Sequence, residues 1–361
     1  MKLRDIVRES RETYKGDMSG IPVVGLEHLI PEEICFSEYE ICSDKTFTKA
    51  FHKGQVLFGR RRAYQKKAAI AHVDGVCSGD IMVLEAIPGK VEPSLLPFII
   101  QNDRFFDYAI QHSEGGLSPR VKWNAIANYE FDLPSIEEQK VLADKLWAAY
   151  RVKEAYRQLL FTTDDMLKAK FQEMLKGACK VSLGDVCFRI TDGSHTPPQG
   201  INHSEYLMIS AKNIDGVRLD LNDVRYLSQA DFEKEHKRTK IKKDDVLLTI
   251  VGTIGRAYLM KGNEPNITLQ RSVAVLTPNE RIVPSFLYYS MSTDTEFEKE
   301  GQGNAQKGVY LAKLAKYQIT LPDINMQKEF ASIFTQAETT KASLRASIEA
   351  IDRVIRSLIN Q

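Results

Sequence analysis

The sequence predicts a mixed α/β (α+β) chain laid out twice over as a globule followed by a long helix. Three observations carry that prediction. First, residues 133–176, LPSIEEQKVLADKLWAAYRVKEAYRQLLFTTDDMLKAKFQEMLK, return 188 positions later as LPDINMQKEFASIFTQAETTKASLRASIEAIDRVIRSLIN. At that offset Leu133/Leu321, Pro134/Pro322, Ile136/Ile324, Gln139/Gln327, Lys140/Lys328, Ala143/Ala331, Ala149/Ala337, Lys153/Lys341 and Asp164/Asp352 are identical. Second, both copies step by 4 and 3: Leu142, Leu146, Ala149, Lys153, Tyr156, Leu160, Thr163 and Leu167 in one, Phe330, Phe334, Ala337, Lys341, Leu344, Ile348, Ile351, Ile355 and Leu358 in the other. That alternation keeps one narrow seam facing a partner helix, as in a coiled coil. Third, short β-like runs separated by Gly, Pro and Asp fill the stretches in between.

Taken in order, the first globule spans residues 1–132. Gly54 to Phe58, Ala68 to Val73 and Ile81 to Leu84 read as strands, and Leu95 to Gln111 as helical. The first long helix occupies 133–179, entered by Pro134, where a missing N–H costs nothing. The second globule spans 180–320, with strands over Asp245 to Val251 and Ser272 to Leu276 and a helical stretch from Pro284 to Glu300. The second helix closes the chain over 321–361. Roughly 40 residues at ~1.5 Å each make rods of about 60 Å. The two seams coincide at the offset, polar Lys153 and Lys341 included, which predicts a shared seam; the plainer arrangement is a helix lying on each globule.

The globules open alike, Leu3-Arg4-Asp5-Ile6-Val7 against Leu183-Gly184-Asp185-Val186-Cys187. They also close alike, Asn128-Tyr129-Glu130-Phe131-Asp132 against Lys316-Tyr317-Gln318-Ile319-Thr320, each read as a last strand feeding the proline. Their interiors differ much more.

A chain of 361 residues with 43% hydrophobic residues is enough for about two cored domains. A formal net charge of +1 announces no nucleic-acid partner, so any basic surface must be local or shared. The five cysteines, Cys35, Cys42, Cys77, Cys179 and Cys187, form no C-x-x-C pair and are odd in number, which argues against zinc and disulfides and for reduced, partly buried thiols. The N-terminus lacks an apolar leader and no run approaches a membrane span, so a cytoplasmic location is expected.

The densest chemical signal in the first globule is Phe58-Gly59-Arg60-Arg61-Arg62-Ala63-Tyr64-Gln65-Lys66-Lys67. Arginine forks onto guanine edges and lysine neutralises phosphates, so a basic hairpin of this kind suits a duplex groove; a solvated charged turn is the competing account. The second globule offers Asp245-Val246-Leu247-Leu248-Thr249-Ile250-Val251-Gly252-Thr253-Ile254-Gly255-Arg256, a strand running into a Gly-spaced loop, then Gln270-Arg271-Ser272. A ligand-free hairpin turn and a plain strand edge compete there. Two glycine-bearing loops, Ser113 to Arg120 and Gly301 to Gly308, align through Gly115 and Gly303. Neither has the ending of a phosphate cradle, and both read as backbone-contacting or turn loops.

Catalytic signals fail. The only Pro-Pro is Thr196-Pro197-Pro198-Gln199, there is no cofactor pocket of the F-x-G-x-G kind, and Glu235-His236-Lys237 lies in a charged run typical of a solvated helix. Asp192-Gly193-Ser194-His195 reads as a turn rather than a ligand set. No catalytic residue, cofactor or metal is expected.

The whole chain resembles the specificity subunit of type I restriction-modification systems. The resemblance rests on L-P-x-I-x-x-Q before each long helix, on Ile190-Thr191-Asp192-Gly193-Ser194-His195-Thr196-Pro197-Pro198, and on Phe58 to Ala71 with Cys77 to Leu84. The chain departs from the commonest pattern in starting almost directly at the first recognition domain. The resemblance implies two target-recognition domains, 1–132 and 180–320, and spacer helices, 133–179 and 321–361, packed as an antiparallel coiled coil with pseudo-two-fold symmetry. It implies a non-catalytic subunit that reads double-stranded DNA and assembles with two adenine methyltransferase subunits and, in the full complex, restriction subunits. Each domain would read half of a bipartite, asymmetric target. Arg60, Arg61, Arg62, Tyr64, Lys66 and Lys67 are the DNA-binding candidates in the first domain; Thr249, Gly252, Thr253, Arg256, Gln270, Arg271 and Lys307 are those in the second. The alternatives are a specificity subunit of a related methylation or anti-phage system, a single-chain nuclease or methyltransferase, and a coiled-coil protein-interaction scaffold.

Overall fold

The computed structural model describes residues 1–41, 47–302 and 307–360; Cys42 and Gly303 lie outside them. The chain divides into two compact units, Met1–Leu159 with Leu344–Gln361, and Leu160–Ser343. Each takes one globule and one end of both long helices.

In the first unit the strands are β1 (Val7–Ser10), β2 (Pro22–Val24), β3 (Glu40–Ile41), β4 (Lys49–Phe51), β5 (Val56–Gly59), β6 (Ala68–Ile70), β7 (Gly75–Cys77) and β8 (Ile81–Ala86). One sheet runs β1-β8-β5-β6, all antiparallel. The other runs β3-β2-β7-β4, with β2 and β7 parallel. Successive side chains leave a strand on opposite faces. Leu57, Ala69, Ile81 and Val83 therefore pack on the second sheet with Val24, Phe51 and Cys77, while Val56, Phe58, Met82 and Leu84 pack on the helical layer with Phe105, Phe106 and Ile126. Both faces of the central strands are buried, which is why they read as continuous apolar runs.

The helical layer is α1 (Leu96–Ile100), α2 (Asp103–Gln111) and α3 (Trp123–Ile126). The helical stretch expected from Leu95 to Gln111 is thus broken, because Asn102 takes an extended backbone and caps α2 by accepting the Arg104 N–H at 2.8 Å. Between α2 and α3 lies a small hairpin of β9 (Ser113–Glu114) and β10 (Arg120–Val121). The long helix α4 (Ile136–Met174) follows without a break.

The second unit repeats the plan with β11 (Cys179–Ser182), α5 (Leu183–Val186), β12 (Cys187–Asp192), β13 (Tyr206–Ile209), β14 (Arg225–Tyr226), α6 (Gln229–Thr239), β15 (Val246–Thr249), β16 (Ala257–Leu259), β17 (Asn266–Leu269), β18 (Val273–Pro278), α7 (Pro284–Ser292), α8 (Leu311–Lys316), β19 (Gln318–Leu321) and the second long helix α9 (Ile324–Ile359). Its sheet order, β12-β18-β15-β16, matches β1-β8-β5-β6, and its second sheet again holds one parallel pair, β13 with β17. The helix expected from Pro284 to Glu300 ends at Ser292, and a separate 3-10 turn covers Phe297–Glu300. The expected last strand is β19, paired with β11; in the first unit its counterpart is a single bridge, Lys2 with Glu130.

The repeated Leu-Pro…Gln segment has a local cause. Gln139 donates to the Pro134 carbonyl at 2.9 Å and accepts the Glu92 N–H at 2.9 Å. Gln327 donates to Pro322 and accepts from Val283, also at 2.9 Å. Both amides are buried, so each ties the start of its long helix to its own globule.

Every predicted seam residue is buried or half-buried. In the first unit Leu142, Leu146 and Tyr150 of α4 pack with Ile351, Ile355 and Leu358 of α9; in the second, Leu167 and Phe171 of α4 pack with Phe330, Phe334 and Ala337. Each end of α4 thus meets the opposite end of α9, and the pairing is antiparallel. The off-seam residues Trp147 and Phe171 pack inward, Trp147 on Phe98 and Phe171 on Phe286 and Tyr289, while Ile136 is half-buried and Phe161 remains 63% exposed.

Candidate nucleic-acid interface

The basic run of the first unit is the connection of a hairpin, as its sequence predicts, since β5 and β6 pair directly. It is not a free cationic loop. A 3-10 turn, Ala63–Gln65, is flanked by Arg62 and Lys66 in left-handed backbone, with φ of 55° and 49°. Arg61 donates to Ser118 Oγ at 2.6 Å and to Asp80 at 3.2 Å, Lys66 pairs with Asp103 at 2.5 Å, and the Lys67 ammonium donates to the Leu26 carbonyl at 2.7 Å. Three of the expected readers therefore spend part of their charge inside the domain. Tyr64 is exposed, and Arg60 and Arg62 each keep a buried Nε with no partner among the described residues.

The glycine loop Gly115 to Pro119, carried by β9 and β10, is knitted to this connection. The Arg62 N–H donates to the Pro119 carbonyl at 2.8 Å and the Val121 N–H to the Arg60 carbonyl at 2.9 Å. Asp80 bridges the two by accepting from Arg61 and, at 2.8 Å, from Arg120. Burial alone would raise the Asp80 carboxyl, but the hydrogen bonds from Arg120 and Arg61 outweigh it and hold the group below its ordinary range.

The second unit builds the same junction from different residues. The Gly252 N–H donates to the Lys307 carbonyl at 3.2 Å and the Val309 N–H to the Ile250 carbonyl at 2.8 Å. Thr249 is fully buried: its hydroxyl donates to the Thr253 carbonyl and accepts the Arg256 N–H at 2.9 Å. Its role is therefore corrected from presenting a donor outward to holding the turn. Gly252 and Gly255 take φ of 83° and 95°, which L side chains rarely adopt. Thr253, Arg256, Arg271 and Lys307 are exposed. The strand-start reading of Gln270-Arg271-Ser272 gives way to a turn between β17 and β18, and its side chains diverge: Gln270 lines a cleft with Ser210 and Arg225, Arg271 another with Gln302 and Tyr310.

That second cleft also holds Asp192, His195 and Arg238. Asp192 is buried, faces His195 Nε2 at 2.8 Å and accepts from Arg238. Gly193 is pressed so closely that an added Cβ would stand 2.1 Å from the Leu269 carbonyl oxygen, which explains a glycine inside Asp-Gly-Ser-His. The sequence reading missed Asp80, Ser118 and Arg120 in one unit and His195, Arg238, Gln302 and Tyr310 in the other. The alignment of the two glycine loops was the signal that could have found Ser118, Arg120 and Gln302.

Two glycine-tied junctions, one in each two-sheet domain, present polar groups and exposed cations. Residues 180–353 match the family described as Type I restriction modification DNA specificity domain. That match takes in the second globule and most of α9, just under half of the chain. Among curated relatives of this family, the EcoBI specificity subunit of Escherichia coli is 24% identical over 272 residues, covering 63% of this chain and 56% of the relative, so the chain spans about half the length of that relative. Among solved structures, the type I S subunit of M. genitalium superposes with a TM-score of 0.63 at 9% identity, covering 99% of this chain and 94% of that one. A structure described as the structural basis of complex assembly and conformational transition of the type I R-M system superposes at 0.53 with 17% identity, covering 99% and 98%. Those two likenesses show the fold of this chain. Among its described residues, no helix is long and apolar enough to cross a membrane.

Proposed function

We propose that the chain is the DNA-specificity subunit of a type I restriction-modification complex, its two domains each reading one half of a bipartite, asymmetric target. The observation that carries this reading is the repeated junction of hairpin connection and glycine loop, identical in backbone hydrogen bonding and different in side chains. Phosphate contacts position and base contacts specify, so one scaffold with two side-chain sets reads two different half-sites. The helix pair sets the gap between them, because about 34° of duplex rotation per base pair moves a half-site off its reader. Arg60, Arg61, Arg62, Tyr64, Lys66 and Lys67, and Gly252, Thr253, Arg256, Gln270, Arg271 and Lys307, are the proposed contact residues, with Thr249 as turn support.

The subunit is proposed to be non-catalytic. Its partners are two adenine methyltransferase subunits, which dock on exposed helix residues such as Phe161, and restriction subunits in the full complex. With a net charge of +1 the chain relies on those partners for part of its phosphate contacts. Selection from a randomised duplex at low salt tests the proposal. The expected result is two unlike short motifs at one fixed separation; enrichment of no motif, or of a single uninterrupted one, overturns it.

A further inference from the structure

Leu117 is 99% exposed, the most exposed of the large apolar residues described. It sits at the tip of Gly115-Gly116-Leu117-Ser118-Pro119, with Gly115 at φ 109°, between the paired strands β9 and β10. The tip is held from below: Ser118 accepts from Arg61, Pro119 accepts the Arg62 N–H, and Arg120 pairs with Asp80. The loop's own strands carry Arg120 and, just beyond, Lys122, which pairs with Glu114 at 2.6 Å, and the connection beneath carries Arg60, Arg61 and Arg62. A leucine held out into water on a fixed loop loses the benefit of burial and gives the domain nothing in return.

Resting on the DNA-reading proposal, we infer that Leu117 is an apolar wedge that enters a base step of the first half-site. Proteins that insert leucine or similar side chains between bases unstack and kink the duplex, and the cations of the loop and the connection hold the phosphates on either side. Pyrimidine–purine steps unstack most readily, so the wedge specifies a TA or CA step without a hydrogen bond to either base. The first half-site alone receives it, since the sequence carries Ala305 at the 188 offset from Leu117.

The test selects randomised duplexes on the wild-type chain and on Leu117→Ala at low salt, then places 2-aminopurine at the chosen step. The wild type is expected to enrich a pyrimidine–purine step in one half-site only and to brighten the probe. L117A, whose substitution touches no packed surface, keeps the flanking bases, loses the step preference, leaves the probe quenched and binds about tenfold more weakly. Equal affinity, equal step preference and a quenched probe with both proteins overturn the wedge while leaving DNA reading intact. A wild type that enriches no motif overturns both.

Discussion

Lys153 of α4 donates to Asp352 of α9 at 2.8 Å, and the 188-residue offset converts this pair into a second one, Lys341 with Asp164, also at 2.8 Å. The surroundings differ. Lys153 is buried and also meets Glu33 at 3.3 Å, which Arg157 holds from the other side; Lys341 is flanked by Glu338 of its own helix. A loop of the first domain thus joins the ion cluster on its helices, and the second domain is held by the rings of Phe171, Phe286, Tyr289 and Phe330 instead.

Replacing Lys153 by Met strands Asp352 and leaves Glu33 to Arg157 alone. Breaking a buried pair from one side costs about 3–5 kcal/mol, and Asp352 is partly exposed, so the loss expected in urea unfolding is about 2–4 kcal/mol. Lys341→Met frees the better solvated Asp164 and costs about 1–2 kcal/mol. Equal losses from both variants would contradict the asymmetry.

The glutamines that open the helices give a second measurement. Gln139→Ala and Gln327→Ala each leave a half-buried backbone N–H and a proline carbonyl without their amide partner, a loss of about 1–3 kcal/mol per variant. Urea titration of single variants checks this, and an unchanged midpoint for either removes the amide from its structural role.

Acid should weaken the first unit through Glu33. Burial alone would raise its carboxyl, but Arg157 and Lys153 outweigh burial and lower it below the ordinary 4.5. A lowered folded value means stability that is fully present above the unfolded value and lost as pH falls through the folded one. Melting temperature therefore drops on acidification below about pH 4.5, and Glu33→Gln flattens that drop while lowering the plateau near neutrality.

Arg62→Ala removes a guanidinium that no carboxylate engages among the described residues, so it is expected to weaken DNA binding by about 1–3 kcal/mol and relax the first half-site only. Arg61→Ala also releases Asp80 and Ser118, so its effect combines binding with loop order. Binding titrations against the selected duplex and against one scrambled in either half separate the two. Unchanged binding by R62A strikes it from the contact set.

The duplication, both helices and the complete seam were legible because a register that repeats with polar Lys153 and Lys341 inside it suits two helices facing each other and little else. The strands were legible in part: runs buried on both faces stand out, while two-residue pieces such as β3 and β14 carry no periodicity. The site was half legible. Composition drew attention to Arg60 through Lys67 and could not show that Asp80, Asp103 and the Leu26 carbonyl turn three of them inward, since those partners are far off in the sequence. Thr249 misled for the same reason, a hydroxyl committed to its own turn. Asp-Gly-Ser-His lines a cleft with Arg238 only because β12 and α6 bring them together across 46 residues.

The compact unit that begins at Met1 is completed by Leu344–Gln361, and Asn102 Nδ2 donates to the Ile359 carbonyl at 2.7 Å. The half of the molecule that leaves the ribosome first is thus closed last, by the tail of the chain, whereas the other half is made of one uninterrupted stretch. A premature stop codon near residue 344 would strip a helix segment from the early half and spare the late one.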